Sequence, residues 1–375
     1  MSKLKSFAYP HLQKMRYAGL IKEFNKAKQQ PPDEQQILML STSKGKLGGN
    51  LLAIKAYIEQ HQLPYTVTVR TEDNLPDTAV LAKELAAAKF IMVDDYEPMV
   101  YPLTLRDGQH LIQVWHAMGA FKKFGYARET AEQNSLTHKN YTEAIVSSAE
   151  LVPLYARSFG ISEEKVKPVG TPRTDAFFDA AHIKSVRERL YAAMPQLQGK
   201  KVCLFAPTFR GNNVNDGYYP ENFLSVTSLA DSLGDDWAII IKLHPFIKNQ
   251  MVIPDAYCER IFDCSAEREI NDLLFITDVL VTDYSSVIFE NAVIGNACVL
   301  YAPDLAEYTR DRGFYFDYSD YACGAVVTEE AQLAAAIQNA TADDERMTAF
   351  KKRFVPLCDG HATERFINEI LGGNR

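Results

Sequence analysis

The chain has no cysteine pair at C-x-x-C spacing, no apolar window approaching eighteen residues and no excess of basic charge. Its six cysteines (Cys203, Cys258, Cys264, Cys298, Cys323 and Cys358) are scattered. That argues against a thiolate metal site and for reduced thiols packing as small apolar groups. Without a long apolar run, no membrane-spanning helix is expected. The first twenty residues lack the apolar centre and cleavage site of a secretory signal. A net charge of −8 has the wrong sign for general nucleic-acid binding. The P-loop and dinucleotide glycine patterns, H-E-x-x-H and G-x-S-x-G are also missing. Their absence sets aside P-loop kinases, ordinary dinucleotide enzymes, zincins and α/β-hydrolases.

What is present is a regular alternation. Short apolar runs such as "QILMLST" (36–42), "YTVTVRT" (65–71) and "KFIMVDD" (89–95) alternate with amphipathic stretches of helical length. "HLIQVWH" (110–116), "AIVSS" (144–148) and "VKPVG" (166–170) continue the series. It restarts with "KVCLFAPTF" (201–209), "WAIIIKLHP" (237–245), "RIFDCS" (260–265), "VLVTDY" (279–284) and "ACVLYAP" (297–303). Strands alternating with helices imply βαβ units on parallel sheets, and 375 residues suit two domains. We expect a basic amphipathic segment over 1–30, a first α/β domain over 31–195 and a second over 196–345. Helices over 346–375 are expected to cross back to the first domain. Residues 1–30 hold seven Lys/Arg, including Lys3, Lys5, Lys14 and Arg16, against Glu23 alone, with Phe7, Met15 and Leu20 among them. Such a segment suits either an anionic membrane surface or a solvated helix capping the first domain.

In open parallel sheets, ligands bind beyond the carboxyl ends of the strands. There the chain carries its chemistry. "VWHAMGAFKKFG" (114–125) puts His116 at a strand end, followed by Gly119, Lys122, Lys123 and Gly125. An imidazole there suits a general base, glycines permit close backbone approach, and the lysines suit an anionic substrate. A structural histidine beside a buried Trp115 is the alternative. "KLHP" (242–245) repeats the pattern with Lys242 and His244. "TDYSSVIFENAV" (282–293) runs from Asp283 through Ser285 and Ser286 into an apolar helix bearing Glu290. A serine capping that helix would aim its N–H groups at an anion, and Glu290 would suit a ribose hydroxyl; an ordinary N-cap is the alternative. "APTFRG" (206–211) offers Thr208 and Arg210, "VGTPRTD" (169–175) offers Arg173 and Asp175, and "DGHATERF" (359–366) offers Asp359, His361, Thr363 and Arg365. Arginine can fork onto phosphate.

In this order, "VWHAMGAFKKFG", "GTPRTD", "APTFR", "KLHP" and "TDYSS" resemble the CDP-glycerol glycerophosphotransferases of wall teichoic acid synthesis. The match spans about residues 110–366, with the form around His116 nearer the primase branch. The resemblance implies a GT-B fold: two Rossmann-like α/β domains with parallel sheets facing across a cleft. It implies His116 as general base and His244 as a second essential histidine. Arg210, Ser285 and Ser286 would bind the diphosphate of CDP-glycerol with Thr208 nearby, and Asp283 would orient the loop. Gly119, Lys122, Lys123, Arg173, Lys242, Glu290 and Thr363 complete the expected substrate-binding set. The implied reaction moves glycerol phosphate to a hydroxyl of an undecaprenyl-diphosphate-linked disaccharide and releases CMP. It needs no cofactor, with a divalent metal left open. The implied setting is the cytoplasmic side of the membrane, near an anionic surface and other teichoic acid enzymes, with no nucleic-acid partner. A polyol-phosphate polymerase, a GT-B glycosyltransferase using a nucleotide sugar, and a non-catalytic binding module are the competing readings.

Overall fold

The computed structural model describes residues 3–211, 216–249, 251–267 and 269–372, with the side chains of residues 3–8 and of Arg312 outside that description. The expected roles of Lys3, Lys5 and Phe7 in a basic segment therefore lie outside it. The chain divides into two compact units. The first holds residues 1–175 and 356–375, and the second holds residues 176–355.

The first unit is built on six parallel strands: β1 Asp33–Ser41, β2 Thr66–Thr71, β3 Ala88–Val93, β4 His110–Gln113, β5 Glu143–Val146 and β6 Val166–Pro168. Their spatial order is β2-β1-β3-β4-β5-β6. Strands buried on both faces read as continuous apolar runs, which is why "ILML" in β1 and "FIMV" in β3 are almost fully enclosed. Ile37, Met39, Phe90, Met92 and Ile112 pack with Leu51, Ile54 and Ile58 of the helix Gly49–Gln60. Asp77 caps the helix Thr78–Ala87 by accepting from the N–H groups of Ala79 and Val80. Against that helix lies the helix Ala18–Ala27, which buries Leu20 and Phe24. The preceding helix, Lys3–Arg16, is tied on by Gln13, whose amide accepts from the Leu136 N–H and donates to Ser135 and Thr137. It leaves Leu12 and Met15 more than half exposed.

The second unit has β7 Lys201–Phe205, β8 Trp237–Ile241, β9 Ile261–Asp263, β10 Val279–Thr282, β11 Ala297–Tyr301 and β12 Ala325–Val327. They are again parallel, in the order β12-β11-β10-β7-β8-β9. Both orders reverse once, between β1 and β3 in the first unit and between β7 and β10 in the second. Such switch points open a crevice past the strand ends.

Two boundaries differ from expectation. The second unit begins at Ala176 rather than near 195, because the helix Ala180–Ala193 packs on the helix Ile270–Leu274. The return to the first unit begins at Pro356 rather than 346, because Phe350 and Phe354 of the helix Glu345–Phe354 pack on Phe289.

Candidate active site

In the first unit the crevice is a cavity of about 260 Å³ past β1, β3 and β4, lined by Thr42, Asn50, Asp94, Asp95, His116 and Arg173 among others. β4 ends at Gln113, and the chain then turns through Trp115 in a left-handed conformation, φ +54°. This turn delivers His116 to the cavity with its side chain half exposed, 51%. Behind it the Trp115 ring, 4.4 Å from the imidazole, stacks on Phe124. His116 Nδ1 faces two acceptors, the Asp94 carbonyl at 3.3 Å and Asp95 Oδ2 at 3.4 Å. In a neutral ring these two acceptors favour the proton on Nδ1, which leaves the lone pair on Nε2. Burial raises the pKa of Asp94 from its ordinary value, against the pull of the Ser41 hydroxyl.

Arg173 sits at the same cavity. Its backbone N–H donates to Asn50 Oδ1 at 3.1 Å, and its guanidinium donates to the His116 carbonyl. Lys122 and Lys123 are half-buried on the loop that follows. The two glycines of that loop have internal reasons. Gly119 adopts φ +69° and its carbonyl accepts from the Tyr155 hydroxyl. At Gly125, φ +52°, an added Cβ would stand 2.1 Å from the Ser158 carbonyl. The close approach expected of an acceptor at Gly125 is thus made by the chain itself. Thr363 is likewise internal: it is buried, its hydroxyl donates to the Pro172 carbonyl, and its N–H donates to Asp175.

In the second unit the switch point gathers Thr208 and Arg210 after β7 with Asp283, Ser285 and Ser286 after β10. Asp283 is buried and accepts from the Thr208 N–H at 2.7 Å and from its neighbour Tyr284. Arg210 is also buried. Its guanidinium meets Asp283 at 3.0 Å and Asp304 at 2.6 Å, beside the mutually stacked rings of Tyr284 and Tyr308. Burial works against its charge, but the two carboxylates outweigh that and hold its pKa up. The forked phosphate contact expected of Arg210 is taken in this structure by Asp304, and Arg210 braces the turn from beneath. Ser285 and Ser286 are half-buried at the start of the helix Val287–Ile294. Ser286 occupies the N-cap position without a side-chain cap, whereas Ser285 Oγ accepts from the Val287 N–H at 3.4 Å. Glu290 is buried one turn further in, at 3% exposure.

His244 follows β8, packed against Phe209 and Phe246, which also touch each other. Its Nδ1 accepts the Phe246 N–H at 3.1 Å, so the neutral ring carries its proton on Nε2. For neutral rings the two sets of contacts favour opposite tautomers at His244 and His116. Lys242, two residues earlier, is buried with its ammonium on the Ser265 carbonyl; burial lowers its pKa.

Sequence reasoning missed Asn50, Asp94, Asp95, Gln113 and Asp304. The strand-end rule applied to "MVDD" would have found Asp94 and Asp95.

Two doubly wound parallel sheets, each with polar side chains past its switch point, define a GT-B protein. The same fold occurs in the wall teichoic acid polymerase TagF, with TM-score 0.77 at 20% identity over 99% of this chain and 98% of that one. It also occurs in a UDP-GlcNAc 2-epimerase from Neisseria meningitidis, with TM-score 0.57 at 13% identity over 90% of this chain and all of that one. The chain belongs to the CDP-glycerol:poly(glycerophosphate) glycerophosphotransferase family, whose pattern matches residues 23–372. A teichoic acid poly(ribitol-phosphate) polymerase of Bacillus spizizenii is 41% identical over 81% of this chain. This chain spans about half the length of that polymerase, 50%. A teichoic acid ribitol-phosphate primase of the same organism is 34% identical over 76% of each chain. A teichoic acid glycerol-phosphate primase of Bacillus subtilis is 29% identical over 76% of this chain and 73% of that one.

Proposed function

We propose that the chain transfers a polyol phosphate from a CDP-activated polyol to a hydroxyl of a teichoic acid acceptor, releasing CMP. The observation that carries this reading is an imidazole placed past a strand end in each unit, His116 with Nδ1 facing the Asp94 carbonyl and Asp95 and His244 with Nδ1 accepting the Phe246 N–H. His116 Nε2, a lone pair, takes the proton of the acceptor hydroxyl. The freed oxygen attacks the phosphorus that bears the polyol, and the bond from that phosphorus to the CMP oxygen breaks. His244 Nε2–H donates to the oxygens that gain charge. Asp95 orients His116 and stabilises the imidazolium as it forms. Ser285, Ser286 and the N–H groups opening the helix Val287–Ile294 hold the diphosphate. Lys122, Lys123 and Arg173 serve the acceptor's negative charge. Transfer of this kind depends mainly on positioning and electrostatics, which these groups supply.

The sequence pattern favours glycerol and a priming step on a lipid-linked disaccharide. The relatives favour ribitol as the second reading, since identity falls from 41% and 34% in ribitol-phosphate enzymes to 29% in a glycerol-phosphate primase. Action at the cytoplasmic face of a membrane belongs to the same reading, supported by Leu12 and Met15, exposed on the helix that carries Lys14 and Arg16. The test is CMP release and product mass with CDP-glycerol and CDP-ribitol, each offered with a lipid-linked disaccharide and with a primed polyol-phosphate acceptor. CMP release that depends on acceptor is expected, and the faster donor names the polyol. Absence of CMP from every pair, with a nucleoside diphosphate released from a nucleotide sugar instead, would replace this reading with a glycosyltransferase.

A further inference from the structure

We propose that Asn50 is a positioning residue for His116, an inference that rests on the general-base role given to His116 above. The argument starts at Trp115. Its left-handed backbone takes the chain out of the sheet immediately after the last ladder contact, Val114 N–H to the Val93 carbonyl at 2.9 Å. Side chains take over what the ladder gives up. Gln113 Oε1 accepts the Trp115 N–H at 2.8 Å, and Gln113 Nε2 donates to the Asp95 carbonyl at 3.0 Å. Asn50 Nδ2 donates to the Val114 carbonyl at 2.7 Å and to the Trp115 carbonyl at 3.0 Å. Its Oδ1 accepts the Arg173 N–H, and the Arg173 guanidinium returns to the His116 carbonyl.

One side chain, 3% exposed, thus joins three segments: the end of β4, the start of the helix Gly49–Gln60 and the turn at Arg173. The peptide before His116 and the carbonyl of His116 itself are both caught in this clamp. Two donors and one acceptor are needed on one short side chain, and asparagine alone among side chains of this length has them. Aspartate of the same shape would set a carboxylate against two carbonyl oxygens, and alanine would leave those carbonyls buried and unmet. A residue held this way sets where the ring stands relative to Asp95, and a displacement near 1 Å at a reacting group costs up to about 10²-fold in rate.

The test compares Asn50→Ala and Asn50→Asp with the unsubstituted chain. The expected result is a fall in kcat of about 10- to 100-fold, with the Kd for CDP-glycerol or CDP-ribitol, read by calorimetry, changed less than about twofold. Nitrogen NMR of histidine-labelled protein is expected to show His116 as one Nδ1-protonated species in the unsubstituted chain and as a tautomer mixture in the variants. Turnover within about threefold in a folded variant would overturn the proposal. So would tautomer averaging at His116 in the unsubstituted chain, a measurement that stands even if neither variant folds. His116→Ala separates the two levels. Full turnover in that variant removes the base itself and the clamp with it, whereas an inactive His116→Ala beside an active Asn50→Ala removes the clamp alone.

Discussion

Glu97 lies inside the first unit at 6% exposure. Burial, then the neighbouring charges of Asp94, Asp95 and Glu72, raises its pKa from 4.5 to about 7. The folded chain therefore holds this proton more tightly than the unfolded chain does. The stability it contributes is complete below pH 4.5 and is lost as pH rises through 7. Glu97→Gln, which stays neutral, should be more stable than the unsubstituted chain at pH 8, by an amount on the order of 2–3 kcal/mol. The gain should vanish near pH 4.5, and urea unfolding at the two pH values measures it. Single residues were also where sequence reasoning was weakest. Arg210 has the residue type and strand-end position of a phosphate ligand, and nothing in "APTFRG" reveals Asp304, nearly a hundred positions later, as its partner. Asn50 lies in an unremarkable "GGN", and its partners come from 114, 115 and 173.

At the scale of elements, the strand-to-helix turn over 283–287 is the part of the second unit most directly open to test. Two hydroxyls and the N–H groups of an eight-residue helix are what it offers an anion. Ser285→Ala combined with Ser286→Ala should raise the Kd for a CDP-polyol by about 30-fold, at roughly 1 kcal/mol for each of the two lost hydroxyl contacts. Stability should change little, since Ser286 makes no side-chain cap. Calorimetric titration checks the first, and a thermal melt checks the second. Eleven of the twelve strands were legible as apolar runs, and ten of those runs continued past the last strand residue. The physical reason is common to them. Trp115 and Leu243 give their N–H groups to side chains rather than to a neighbouring strand and are still buried, so apolarity alone does not mark where the ladder stops. β12, Ala325–Val327, was missed: it exposes Val326 and buries only Val327, so it shows no apolar run bounded by turns.

For the whole molecule, the informative feature is that the first unit is completed by the end of the described chain. Phe366, Ile367, Ile370 and Leu371 belong to its core beside Ile37 and Ile112. Arg365 fastens the same segment through the Val169 carbonyl and Asp359. Removing residues 356–375 should therefore unfold the first unit and spare the second. Proteolysis should then yield a resistant fragment close to 176–355, and loss of both halves together would contradict the division into units. Division into two α/β units was readable from the restart of the strand series. The places where the chain crosses were not, because "AHIKSVRERLYAA" and "ERMTAFKKRF" are helices whose allegiance depends on what they touch.

The same arrangement orders events during synthesis. Residues 176–355 form an uninterrupted stretch and can settle as soon as they leave the ribosome, since domains fold as units while the chain emerges. The half begun earlier must wait, its sheet laid down but its last helix unmade, until residues 356–371 appear. Over that interval the apolar surface meant for Phe366 and Ile370 faces the cytosol of the translating cell, so slowing translation near residue 350 would lengthen the time a chaperone has to bind there.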